Sequence, residues 1–193
     1  DRLALGLAEL EQGRPGRRGQ RCQRLQRVES DSDAGKQEQH GKTEDEAVGL
    51  IHEAIDLGIN LLDTAPVYGT EAVVGKALKS ILRDSVVVAT KAQVYRNKEW
   101  HTPERVVASL DNSLRLMGTD YVDLFQLHSI MPDEYAYSME KIGPALLDQK
   151  AKGKIRHIGI TEQPVDDFTH ETLVRATQDD LDSDGVGDAC DLC

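Results

Sequence analysis

Cysteine is scarce in this chain and absent from its middle: of 193 residues only Cys22, Cys190 and Cys193 carry a thiol. A disulfide framework is excluded for the central residues, and a reduced interior is expected there, with different chemistry at the C-terminal end. No uninterrupted apolar segment approaches the roughly 18 residues of a membrane-spanning helix, so no membrane partner is expected. No basic-then-apolar signal precedes Asp1, which argues against a secretion signal on this chain. No GxGxxG or GxxxxGK[ST] follows the first clear strand, which counts against a nucleotide-binding open sheet. Positive charge is in deficit: 34 acidic against 23 basic residues give a formal net charge of -11. A global nucleic-acid role is thereby excluded.

What charge there is lies unevenly. Arg2, Arg14, Arg17, Arg18, Arg21, Arg24 and Arg27 precede the first lysine, while Asp179, Asp180, Asp182, Asp184, Asp188 and Asp191 close the chain without a base. Leu3 to Ala8 is a candidate first strand. Residues 11–42 are rich in Gln, Arg, Gly and Ser and too poor in apolar side chains to offset the entropy of ordering, so 1–42 reads as that strand followed by loop or disorder. An RNA-binding arm is the sharper reading of the arginines, but 11–42 holds no aromatic residue to stack on a base.

From Thr43 the pattern changes. Thr43-Glu44-Asp45-Glu46 has the form of a capping box, and Val48, Ile51, Ala54 and Ile55 follow at helical spacing up to Gly58. A strand is predicted over 59–63, a helix over 71–82 and a strand over 85–91. Thr102-Pro103-Glu104 opens another helix with Val106, Leu110 and Leu114 on one face, ended by Gly118. A strand over 121–127, a helix over 133–151, a strand over 155–161 and a helix over 165–176 complete the series. Strict alternation of helices with strands that are apolar on both sides predicts a parallel α/β fold.

Three strands end in chemistry. Asp63 closes the first, with Tyr68 in the loop beyond it; Lys91 closes the second and His128 follows the third. In a barrel of parallel strands such ends share one rim whatever their separation in sequence. Each residue also has a plainer reading: a turn cap for Asp63, packing for Tyr68, a snorkelling stem for Lys91, a satisfied structural group for His128. Together they suit proton transfer. A free phenol is a weak acid at neutral pH, a nearby ammonium favours its phenolate, an acid keeps that ammonium charged and placed, and an imidazole orients a carbonyl oxygen.

The middle of the chain resembles the aldo-keto reductase family. The likeness rests on Gly58-Ile59-Asn60-Leu61-Leu62-Asp63-Thr64-Ala65 with Tyr68-Gly69, Glu71 and Gly75, on Val88-Ala89-Thr90-Lys91, on Asp120-Tyr121-Val122-Asp123-Leu124 with Leu127-His128, and on Lys154 to Thr161. It covers about residues 43–178. It implies a (β/α)8 TIM-barrel type fold, here truncated to about four or five βα units, and cytoplasmic reduction of a small aldehyde or ketone by NADP(H). By position, Tyr68 corresponds to the proton donor, Asp63 and Lys91 to its tuning pair, and His128 to the group that orients the carbonyl. Family members commonly place Ser-Asn against the nicotinamide amide where this chain has Thr161-Glu162. The implied cofactor positions are thus Asp63, Thr161 and Glu162.

Residues 179–193 are different again. Asp180-Leu181-Asp182-Ser183-Asp184-Gly185 fits the opening of a calcium loop, and Asp188 and Asp191 fall at its ninth and twelfth positions. The run from Asp182 to Cys193 resembles one thrombospondin type 3 repeat, which implies calcium on Asp180, Asp182, Asp184, Asp188 and Asp191 and suits an extracellular setting; the plainer reading is a solvated acidic tail. Two alternatives stand beside the reductase: a non-catalytic partial barrel that pairs through its exposed edges, and a calcium-dependent extracellular module with the barrel as passenger.

Overall fold

The computed structural model describes residues 43–162 and 169–179. The candidate strand from Leu3 to Ala8, the arginine-rich segment, the three cysteines and the calcium-loop aspartates from Asp180 to Asp191 lie outside the described residues. Among the described residues no group of three or more metal-ligating side chains comes together, and no helix is long and apolar enough to cross a membrane.

The chain enters through helix α1, Glu44–Asp56. Its capping box forms as the sequence predicts: Thr43 Oγ1 accepts from the Glu46 amide at 3.3 Å, and the Glu46 carboxylate accepts from the Thr43 amide at 2.6 Å. Strand β1, Leu61–Asp63, leads through a 3-10 turn at Pro66–Tyr68 into helix α2, Glu71–Leu78. Strand β2 is Val87–Ala92, and a small hairpin follows from β3, Tyr95–Arg96, and β4, Glu99–Trp100. Helix α3, Pro103–Met117, starts on Thr102, whose hydroxyl accepts from the Arg105 amide, and stops at Gly118 with φ 63°. That left-handed conformation favours glycine.

Strand β5 is Val122–Ile130. Helices α4, Pro132–Tyr137, and α5, Gly143–Ala151, flank a π turn at Ser138–Ile142. The sequence predicts one helix here, and Pro144 explains the altered ladder: it has no N–H to donate back along the chain. Strand β6, Ile155–Glu162, and helix α6, Glu171–Ala176, end the described chain.

The main sheet has the order β1-β2-β5-β6 with every pair parallel. This is the α/β architecture the alternation predicts, four strands long among the described residues. Leu62, Val88, Thr90, Phe125 and Ile158 stand in register on one face. Leu62, Val88, Phe125 and Ile158 join Val106, Leu110, Met117, Ile142 and Leu146 in one buried cluster, so helices cover that face. Asp63, Ala89, Leu124 and His157 are in register on the other, with Lys91, Gln126 and Gly159 one step further along.

Several predicted bounds are corrected. The first strand is three residues rather than five, because residues 57–60 turn off the helix at Gly58 (φ 94°). Helix α2 stops at Leu78, not Leu82; Leu82 is 75% exposed and has no apolar surface to pack on. The β3–β4 hairpin falls where no element is predicted, and Asn97 and Lys98 turn it with φ of 54° and 65°. Lys91 and His128 lie inside β2 and β5 rather than at their exits.

Candidate active site

The four residues singled out from sequence meet at the C-terminal ends of β1, β2 and β5. Lys91 is 5% exposed. Its Nζ donates to Asp63 Oδ1 and, at 3.1 Å, to the carbonyl oxygen of Thr64. A buried ammonium needs such partners to stay charged. The Asp63 side chain is 48% exposed, so the pair is buried on the lysine side only. Tyr68 Oη and His128 Nε2 are 3.4 Å apart, the direction of the bond following the imidazole tautomer. Their rings meet edge to face, with centroids at 5.7 Å. The ammonium of Lys91 lies 5.5 Å from the centre of the Tyr68 ring.

The loop that carries Tyr68 is fastened at both ends. Thr64 and Thr70 hydroxyls are 2.8 Å apart, and Glu71, 2% exposed, accepts from the Thr90 hydroxyl at 2.8 Å. Glu71 also stands in the first turn of α2, where the helix dipole favours a carboxylate. Between these anchors the 3-10 turn ends at Gly69, φ 66°, immediately after Tyr68.

His128 has its own positioning device. The β5–β6 register shifts between Leu127 and Ile130, and Ser129 takes φ 58°, a left-handed conformation inside a strand. Such irregularities re-aim side chains. The Ser129 amide, displaced from the ladder, donates to Thr161 Oγ1 at 2.8 Å. Nothing in sequence spacing announces this bulge. The apolar run before His128 makes it look like a strand exit, whereas it is a bend in a longer strand.

Thr161 and Glu162, the predicted cofactor positions, close β6. The Thr161 hydroxyl accepts from Ser129 and keeps its own proton to donate. Glu162 Oε1 pairs with His170 Nδ1, while Glu162 Oε2 is buried with no partner among the described residues. A carboxylate oxygen lacking a donor and a hydroxyl with a proton to give are each of a kind that a primary carboxamide, with an N–H₂ to donate and a C=O to accept, such as the amide end of a nicotinamide, would pair with.

Beside Lys91 and His128 opens a cleft of about 180 Å³ that runs on to Gln93, Arg96, His101 and Arg105. His101 Nε2 is buried without a partner among the described residues. Burial, reinforced by the Arg105 charge, holds the His101 imidazole below its ordinary pKa. A larger hollow of about 360 Å³ lies at the other end of the strands, against Gly118, Asp120 and Lys154, and includes none of the four residues.

A parallel sheet covered by helices, with the candidate side chains gathered toward the C-terminal strand ends, is a barrel-type α/β arrangement. The aldo/keto reductase family profile matches residues 33–177, and the chain belongs to that family. It is 41% identical over 132 residues to L-galactose dehydrogenase of Arabidopsis thaliana, covering 66% of this chain and 41% of the relative. It is 37% identical over 129 residues to aldo-keto reductase YhdN of Bacillus subtilis, covering 63% of this chain and 38% of that one. Among solved structures, an aldo-keto reductase from Klebsiella pneumoniae in complex with NADPH superposes with a TM-score of 0.54 at 30% identity, over 68% of this chain and 44% of that one. The aldo/keto reductase from Brucella melitensis gives 0.52 at 34% identity, over 62% and 45%. The chain thus spans about two fifths of the length of the curated relatives it matches.

Proposed function

We propose that this chain carries the proton-transfer half of an NADP(H)-dependent carbonyl reductase, converting a small aldehyde or ketone to an alcohol. The observation that supports this most is the meeting of Tyr68 Oη with His128 Nε2 at 3.4 Å, beside a buried Lys91 that Asp63 and the Thr64 carbonyl hold in place. Membership of the aldo-keto reductase family favours the same reading.

In this mechanism the carbonyl oxygen of the substrate sits within hydrogen-bond reach of Tyr68 Oη and His128 Nε2. When bound, the reduced nicotinamide supplies the hydride that goes to the carbonyl carbon. Negative charge then develops on the oxygen. Tyr68 gives its phenolic proton to that oxygen, completing the alcohol, and is reprotonated from solvent afterwards. His128 fixes the oxygen's direction, a contribution that grows as the charge grows. Lys91 presents its charge to the phenolate that Tyr68 becomes, and Asp63 keeps that ammonium charged and aimed. Thr161 and Glu162 would hold the amide end of that nicotinamide.

The test is direct. NADPH is titrated into the purified chain by fluorescence, an activated aldehyde is added, and cofactor absorbance is followed. Saturable binding followed by turnover is expected, and Tyr68→Phe should cut the rate by roughly 10²–10⁴ without abolishing cofactor binding. Absence of NADPH binding, or turnover untouched in Tyr68→Phe, overturns the reading.

A second reading, as a non-catalytic partial barrel that pairs with further copies, draws on the sheet order. Among the described residues β1 and β6 each have one neighbour, and open strand edges invite pairing. Sedimentation of the purified chain at several concentrations would test it.

A further inference from the structure

The cleft beside the site is lined by charge of the sign opposite to the chain's net charge. On a polypeptide of net charge -11, the cleft walls carry Lys91, Arg96 and Arg105 and no carboxylate. Neighbouring acids neutralise two of these cations. Asp63 holds Lys91, and Glu99 meets Arg105 at 3.1 Å, with side chains 68% and 53% exposed. Arg96, on the exposed face of the hairpin, has no carboxylate partner among the described residues. One positive charge is therefore left over, and the exposed Arg105–Glu99 pair is weak enough to yield its guanidinium to a competing oxyanion. Burial first, then the Arg105 charge, hold His101 toward its neutral form against the opposing pull of the Gln93 backbone and Glu99.

The placement also suits recognition. Arg96 and Arg105 are on the β3–β4 hairpin and the first turn of α3, two segments that follow β2 directly. Lys91 and His128 line the same cleft. A small ligand in it would meet His128, which Tyr68 Oη contacts at 3.4 Å, and the guanidinium groups, whose planar forks match a carboxylate. A volume of about 180 Å³ limits that ligand to a small molecule.

We propose that the cleft selects small carbonyl compounds that carry a carboxylate, with Arg96 and Arg105 binding the carboxylate while the carbonyl meets Tyr68 and His128. A single surplus charge suits a monoanion better than a phosphate dianion. The proposal rests on the carbonyl-reductase reading of the site, and its test separates the two. Two substrates matched in chain length, 4-oxobutanoate and butanal, are compared by NADPH oxidation in the unmodified chain, Arg96→Gln and Arg96→Lys. The expected preference for 4-oxobutanoate in kcat/KM is roughly tenfold or more, carried by KM, falling toward unity in Arg96→Gln and partly kept in Arg96→Lys.

Trp100 gives a second readout that needs no turnover. It is the single tryptophan of the chain, it sits one residue past Glu99, the strand partner of Arg96, and its ring lies 4.5 Å from that of Tyr137. Its fluorescence should change saturably with 4-oxobutanoate and not with butanal, and the affinity should fall roughly tenfold in Arg96→Gln. If neither compound is reduced but 4-oxobutanoate binds in this way, the reductase reading fails and the carboxylate site stands. Equal turnover of the two compounds, or a Trp100 response that ignores the carboxylate or survives Arg96→Gln unchanged, overturns the proposal.

Discussion

Asp123 offers the sharpest test of how the sheet is held. Its side chain is 8% exposed and accepts three hydrogen bonds: from Arg83 at 2.6 Å, from the buried Val88 amide at 2.9 Å and from Arg156 at 2.8 Å. The two guanidinium groups sandwich the Tyr121 ring, each 4.1 Å from its centre. Asp123→Ala leaves the Val88 N–H without its acceptor, at about 1–3 kcal/mol for a buried unsatisfied group. It also breaks the charge-assisted bond to the 19%-exposed Arg83, about 1.5–3 kcal/mol. Arg156 is 50% exposed and adds at most about 1 kcal/mol after solvent screening. The sum, roughly 2.5–7 kcal/mol, brackets the usual cost of about 3–5 kcal/mol for halving a buried ion pair, and about 4 kcal/mol is expected. On a urea slope of about 2 kcal/mol/M the unfolding midpoint should fall by roughly 2 M. Lys152→Ala, which removes the exposed pair with Asp148 and leaves Asp148 to accept from Gln149, is the control and should cost under about 0.5 kcal/mol. If Asp123→Ala costs no more than that control, the network does not tie β2 to β5 and the argument is wrong.

Other perturbations follow from the same geometry. Gly75→Ala should lower Tm by several degrees: a Cβ there would lie 2.5 Å from the Leu116 carbonyl oxygen and 2.7 Å from Met117 Cα. That backbone clash costs about 1–3 kcal/mol and outweighs the roughly 1 kcal/mol of helix propensity gained. His101 is held below its ordinary pKa, first by burial and then by Arg105, and its buried Nε2 has no acceptor among the described residues to meet a new proton. The unfolded chain therefore takes up that proton more readily, so stability should fall as pH drops below the unfolded value of about 6.5. His101→Gln should remove this component from denaturation curves between pH 7 and 5; an identical pH dependence in the variant would refute the assignment. Thr161→Val deprives the Ser129 amide of its acceptor and should cost about 1 kcal/mol by chemical denaturation, whereas Thr161→Ser should cost less than half of that.

The sequence carried the large features because each has a local cause. Thr43 with Glu46, Thr102 with Pro103, and Gly118 are chemical stops and starts, and α1 and α3 begin and end on them. Asp63, Tyr68, Lys91 and His128 were legible as one site because parallel strands bring their C-terminal ends together. The irregularities were not legible. The hairpin at Tyr95–Trp100 depends on two non-glycine residues, Asn97 and Lys98, accepting positive φ, which no composition rule favours for lysine. The bulge at Ser129 depends on a hydroxyl 32 residues away in sequence. The extent of Asp63's exposure depends on which strands stand beside β1, a tertiary fact with no signature in the strand itself.

The irregular parts and the regular parts divide the work of the site. The ladder fixes Lys91 opposite Gln126 and sets Asp63 opposite Ala89, so the ion pair is built into the β1–β2–β5 register. Tyr68 and His128 are placed by departures from that register. Tyr68 rides a 3-10 turn clamped through Thr64–Thr70 and Thr90–Glu71, and His128 sits beside a bulge that Thr161 holds. Lys91 is thus on a strand paired on both sides, while Tyr68 and His128 are on segments whose positions depend on single hydroxyl contacts. Two of those hydroxyls, on Thr90 and Thr161, belong to β2 and β6. The geometry of the Tyr68–His128 pair therefore depends on three strands at once, and a change that loosens any one of them should reach the candidate site without touching either residue.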